Sequence, residues 1–225
     1  MIVMIDSANL EEIKYLFNYF PYDGVTTNPS ILKKENRNPF EQLKDIKNII
    51  PKDAMLHCQV LSKNADEMVK EAEYIVEKLG KDTYIKVPVT EEGLKAISIL
   101  SKKGINITAT AIYTAMQGYM AAKAGAKFVA PYVNRLDNLG YDGVQVAKDI
   151  HTLLKNHNFD CKVVAASFKN SQQILDLGKF GIEAVTASFD VLRNLYIHPV
   201  TDKAVNDFCN DFEKIEDNHK TMLDY

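Results

Sequence analysis

One lysine stands apart from the others in this chain. Lys86 sits inside Thr83-Tyr-Ile-Lys-Val-Pro-Val89, a short apolar run, whereas most other lysines fall in amphipathic stretches or loops. A strand covered on both faces offers an ammonium either a partner or desolvation, and desolvation favours the neutral amine. A neutral amine is the species that attacks a carbonyl carbon to form a Schiff base. The plainer alternative is a lysine that caps the strand end and reaches water.

Other polar residues close apolar runs in the same way. Asp6 ends Ile2 to Ile5, where a carboxylate can orient an amine, bind hydroxyls or relay a proton; the alternative is a helix cap. Thr26 and Asn28 follow the second run, Gln59 the third, and Thr108 and Thr110 close the fifth. If Gln59 faces inward, Cys58 faces outward and packs, because strand side chains alternate. Ala130-Pro-Tyr-Val-Asn-Arg-Leu-Asp137 supplies Tyr132, an acid/base candidate or a core aromatic. It also supplies Arg135, one of three arginines. A guanidinium fork suits phosphate or carboxylate; the alternative is an ion pair with Asp137 or Asp142. Ser167 and Lys169 follow the seventh run, in a region where barrels often hold phosphate.

These residues gain meaning from the elements that carry them. Short β-branched runs at Ile2–Ile5, Gly24–Thr27, Ala54–Val60, Thr83–Val87, Ile105–Thr110, Lys127–Ala130, Lys162–Ala165 and Glu183–Thr186 alternate with stretches of helical periodicity. The helices are expected near Asn9–Tyr19, Phe40–Ile50, Ala65–Leu79, the stretch after Thr90, Thr114–Ala124, the stretch from Asp142, Ser171–Leu177 and Phe189–Tyr196. Regular alternation implies a parallel sheet, and eight units imply a (β/α)8 TIM barrel. A doubly wound sheet is the competitor, but no glycine follows the first strand, where its fingerprint normally lies. One further amphipathic helix after Pro199 carries Val205, Phe208, Phe212 and Ile215. The expected organisation is one barrel domain over 1–225, with 199–225 as a helical tail. In a barrel the strand ends share one mouth, so the candidates above converge there.

Composition excludes several classes. Hydrophobic residues at 46% and charged residues at 25% over 225 positions describe an ordinary globular chain. A formal net charge of −3 leaves no broad basic field for nucleic acid, and no apolar run is long enough for a membrane helix. Three distant cysteines and scattered histidines suit neither a disulfide framework nor a metal site. No nucleotide loop is present, so no metal and no cofactor is expected, and the chain reads as cytoplasmic.

Gly24-Val-Thr-Thr-Asn-Pro-Ser30, Ile85-Lys-Val-Pro-Val89 with Glu92-Gly-Leu94, and Ala130 to Asp137 together resemble the small transaldolase family, and more closely its fructose-6-phosphate aldolase branch. The resemblance runs from Asp6 to the tail helix. It implies a barrel and a class I aldolase with Lys86 as the Schiff-base lysine. Asp6, Thr26 and Asn28 then contact the sugar, and Arg135 and Ser167, with Lys169, hold its phosphate. Transaldolases proper carry glutamate on the third strand and phenylalanine after the sixth; Gln59 and Tyr132 resemble the aldolase branch. Thr108 departs from the asparagine of transaldolases, while Thr110 falls on the family threonine. The implied partners are a sugar phosphate substrate and further copies of the chain, in a pentamer-based ring or a decamer.

Overall fold

A computed structural model describes residues 1–215 and 221–224. Residues 216–220 and 225, which include His219 and the end of the expected tail, lie outside the described residues. The chain divides into two compact units, Met1–Leu192 and Arg193–Tyr225.

The first unit opens with β1 (Ile2–Asp6), α1 (Leu10–Tyr19), β2 (Gly24–Thr26), α2 (Pro29–Lys34), α3 (Pro39–Ile49), β3 (Met55–Gln59) and α4 (Ala65–Leu79). It continues through β4 (Tyr84–Pro88), α5 (Glu91–Lys102), β5 (Ile107–Ile112), α6 (Ala115–Lys123), β6 (Phe128–Pro131), α7 (Val133–Asp137) and α8 (Gly143–Asn156). It ends with β7 (Lys162–Ala165), α9 (Ser171–Phe180), β8 (Ala184–Ala187) and all but the last residue of α10 (Phe189–Arg193). The strands form a closed barrel in sequence order, every pair parallel, with β1 joined to β8. The expected (β/α)8 TIM barrel is therefore the fold, and the doubly wound sheet is not.

Side-chain alternation builds two apolar layers. Residues such as Ile5, Val25, Leu56, Ile85 and Val185 point outward and pack under the helices. Met4, Phe128, Ala130, Val164 and Ala184 fill the barrel interior. Each fully buried aliphatic side chain contributes about 1.5–3 kcal/mol, so both layers hold the strand ends firmly. The helices start where capping side chains stand: Asn9, Asn28, Asn38, Asn64, Thr90, Asp142 and Asn170 each accept from a backbone N–H of the first turn. Thr114 and Gln117 form a reciprocal capping box at α6.

Two helices were not expected from periodicity, α2 and α7. Both are too short to show an apolar stripe, and both lie at the mouth. Gly93 matters for the site as well. A Cβ there would stand 1.8 Å from the Pro88 carbonyl oxygen, so glycine alone lets α5 close against the end of the Lys86 strand.

In the second unit, α11 (Pro199–Glu213) begins at His198, whose Nδ1 accepts from the Val200 N–H. Val205, Phe208 and Ile215 of the expected apolar stripe are exposed. No helix among the described residues is long and apolar enough to cross a membrane.

Candidate active site

The strand ends bring the candidates together at one mouth. Lys86 is only 6% exposed, and its Nζ donates to the Thr27 carbonyl oxygen at 2.7 Å. That contact uses a hydrogen of the amine and leaves a lone pair for nucleophilic attack. In register, Gln59 and Thr108 flank Lys86 on the neighbouring strands. Burial pushes the Lys86 pKa below the ordinary lysine value, with Asp6 opposing the shift.

Asp6 accepts from Thr26 Oγ1 at 2.7 Å, and Thr26 lies 2.7 Å from the Thr186 hydroxyl. Thr26 thus fixes the carboxylate's orientation. Burial raises the Asp6 pKa, while Lys86, the Thr26 hydrogen bond, Arg135 and Lys34 pull it down. The shifts of Asp6 and Lys86 both favour the neutral forms, as expected for a desolvated acid and base.

Tyr132 ends β6. Its hydroxyl pairs with Thr110 Oγ1 at 2.9 Å, and the Arg135 guanidinium carbon lies 4.3 Å from the centre of its ring. A bulge makes the first contact. Pairing of β5 with β6 shifts between Ala109 and Ile112, where Ala111 takes the left-handed φ of +58°. Neither aspartate proposed as an Arg135 partner pairs with it. Asp137 accepts from the Gly143 N–H and from the Gln173 side chain, and Asp142 caps α8.

Ser167 holds a left-handed φ of +62°, a strained choice for a non-glycine residue. The backbone pins it: Asn134 N–H donates to the Ser167 carbonyl at 2.7 Å, and Val133 N–H to Ala166 at 2.9 Å. The loops bearing Arg135 and Ser167 are thereby locked to each other.

A cavity of about 230 Å³ is lined by Asp6, Asn28, Ser30, Ile31, Lys34, Lys86, Tyr132, Arg135, Ala166 and Ser167. Of the sequence candidates, Asp6, Asn28, Lys86, Tyr132, Arg135 and Ser167 line it directly. Thr26 and Thr110 stand behind it, holding Asp6 and Tyr132. Gln59 lines a neighbouring cleft of about 510 Å³ with Leu61, Met68 and Pro88. Thr108 turns into the barrel, where its hydroxyl meets His57 Nδ1 at 2.9 Å. Lys169 is exposed and off the lining; its backbone N–H donates to Gln173.

Ser30 and Lys34 went unrecognised in the sequence. They lie four apart on α2, a spacing that puts them on one helical face, but the helix is too short for periodicity to reveal. His57 was equally silent. It is fully buried, stacked on Tyr84 at 4.6 Å, and its Nε2 has no hydrogen-bond partner. Burial and the Lys86 charge lower its pKa to about 3. Cys58 packs outward as expected, and burial lifts its thiol to about 12.

A larger cavity of about 640 Å³ opens at the other end, with Met55, Tyr84 and Phe128 among its lining. It contains none of the candidates, and barrels carry their chemistry at the C-terminal strand ends. Among the described residues, no His, Cys, Asp or Glu group is placed to hold a metal ion.

A buried amine, a polarised carboxyl, a tyrosine and cations without an ion pair among the described residues, all around one pocket, suit carbonyl chemistry on an anionic substrate. Comparison with known proteins agrees. The model of the transaldolase/fructose-6-phosphate aldolase family matches residues 3–224. The chain belongs to this family. A probable fructose-6-phosphate aldolase of Streptococcus pneumoniae is 42% identical over 214 residues, covering 95% of this chain and 96% of that protein. A probable transaldolase of Hydrogenobaculum is 38% identical, covering 94% and 96%. Another, of Methanococcus maripaludis, is 40% identical, covering 93% and 96%. Membership makes the chain an enzyme of aldolase/transaldolase type, for which a sugar phosphate substrate fits.

Proposed function

We propose that this enzyme is a class I aldolase that cleaves and forms fructose 6-phosphate, with dihydroxyacetone and glyceraldehyde 3-phosphate as the other partners. The observation that carries the reading is the buried Lys86 amine, anchored through a hydrogen to Thr27 and lining one cavity with Asp6, Tyr132 and Arg135.

In this reading the neutral Lys86 amine attacks the substrate ketone. Loss of water gives an iminium, an electron sink beside the bond to be broken. Tyr132, oriented by Thr110, removes the proton from the C4 hydroxyl through a water shared with Gln59. The bond between C3 and C4 breaks, glyceraldehyde 3-phosphate leaves, and its electron pair remains as an enamine on Lys86. Protonation of the enamine and hydrolysis of the imine release dihydroxyacetone. Asp6 and Asn28 hold substrate hydroxyls, and Arg135 and Ser167 hold the phosphate, so remote binding orients the reacting carbons.

A second reading is transaldolase, which passes the same three-carbon unit to another sugar. The names of the Hydrogenobaculum and Methanococcus relatives favour it. Gln59 and Tyr132, the pair resembling the aldolase branch, favour the first. The reading also includes a homo-oligomer built on pentamers, for which the exposed apolar face of α11 offers a surface. A cytoplasmic setting suits its free cysteines.

The test is fructose 6-phosphate supplied without an acceptor. Free dihydroxyacetone should accumulate over many turnovers; a stoichiometric burst that needs an acceptor to continue supports transaldolase instead. Borohydride with dihydroxyacetone should inactivate the enzyme and mark Lys86. An active, untrappable wild type, or a Lys86→Met variant with full activity, would refute the imine.

A further inference from the structure

The cavity holds more positive charge than the expected residues explain. Arg135 makes no ion pair among the described residues, and its guanidinium lies over an uncharged ring. Lys34, an exposed side chain, makes no ion pair among the described residues either. Both unpaired cations line the cavity that contains Lys86. Asp6, the only carboxylate on its lining among the described residues, is already held by Thr26. A surface that leaves two cations unpaired around one small cavity is built for an anion from outside.

The local fold explains how Lys34 arrives there. Asn28 caps α2 through the Ile31 N–H, and Pro29 opens the helix. This aims the face bearing Ser30 and Lys34 at the mouth, and Asn28, Ser30, Ile31 and Lys34 all reach the lining. Lys33, one residue earlier and equally exposed, is off it. Lys169 is off it too, beside a loop whose backbone is tied to Gln173.

We propose that Lys34 is a phosphate-binding residue of this enzyme. It forms with Arg135 a two-cation clamp on the substrate phosphate. A phosphate monoester is close to a dianion at neutral pH, so it matches two cations better than one. The assignment rests on the sugar phosphate reading of the site and extends it by naming the second cation.

The experiment compares wild type with Lys34→Ala, Lys34→Arg and Lys33→Ala. The readout is the ratio of kcat/KM for fructose 6-phosphate to kcat/KM for an unphosphorylated ketose cleaved by the same bond scission. Loss of one charge-assisted contact should lower that ratio about tenfold in Lys34→Ala, mainly through KM. Lys34→Arg should restore most of it, and Lys33→Ala should shift it less than about twofold; the effect should shrink as salt rises. An unchanged ratio in Lys34→Ala, or an equal fall in Lys33→Ala, overturns the assignment. Titration with inorganic phosphate, followed by calorimetry, gives an answer independent of turnover. Wild type should bind it several-fold more tightly than Lys34→Glu. Equal binding overturns the clamp, whereas lost turnover with intact phosphate discrimination overturns only the aldolase reading.

Discussion

His57→Phe isolates the energetics of the barrel interior. Phenylalanine keeps a ring against Tyr84 and Phe128 but removes the titrating nitrogens. In the native protein, burial and Lys86 hold the His57 pKa at about 3, against an ordinary value of 6.5. Between those values the unfolded chain binds a proton that the folded chain refuses. Stability therefore rises with pH across that window and is lost on acidification. At pH 5, about 1.5 units below the unfolded value, protonation of the unfolded imidazole costs the fold roughly 2 kcal/mol; at pH 7.5 the cost is roughly zero. The variant lacks this linkage. Urea denaturation of both proteins at pH 7.5 and pH 5, at equal protein concentration, gives four free energies. The wild type should lose roughly 2 kcal/mol more than the variant between the two pH values. The lost Thr108 contact and the removed unpaired Nε2 change the variant's absolute stability, but that offset cancels in the difference. Equal pH dependence in both proteins would show that His57 is hydrated or charged in the native state, and the account of the interior would fail.

Two further substitutions probe the mouth. Tyr132→Phe keeps the ring under Arg135 and deletes the hydroxyl that meets Thr110, so steady-state kinetics should show kcat reduced about a hundredfold or more with KM little changed; a kcat near wild type removes Tyr132 from proton transfer. Gly93→Ala puts a methyl 1.8 Å from the Pro88 carbonyl, which forces α5 off the Lys86 strand. Its denaturation free energy should fall by about 1–3 kcal/mol and its activity should fall with it; wild-type values for both would mean that the contact relaxes freely.

The barrel was legible because its signals are local and repeated. Eight β-branched runs, each followed by a 3.6-residue period, admit few topologies once parallel pairing is required. Lys86, Asp6, Tyr132, Arg135 and Ser167 were legible for a related reason, since each is a polar residue within, at the end of or just past an apolar run, and barrel closure brings such segments together. Asn28 was legible from its motif and proved to serve twice, as a helix cap and as cavity lining.

What the chain alone left open depended on distances between segments remote in sequence. Arg135 could have paired with Asp137 or Asp142; the packing of α8 and α9 gives those carboxylates other donors and leaves the arginine for a ligand. Thr108 and Thr110 look equivalent as residues two apart on one strand. The bulge at Ala111 sends Thr110 to Tyr132, while Thr108 meets His57 inside the barrel. Lys34 carries no signal in its neighbours, since α2 is too short to show a periodicity; the direction of that helix puts Lys34 on the cavity. Periodicity determines which elements form because it acts between near neighbours. Which charges are left unpaired, and therefore available to a substrate, was decided only when closure of the barrel set those neighbours in space.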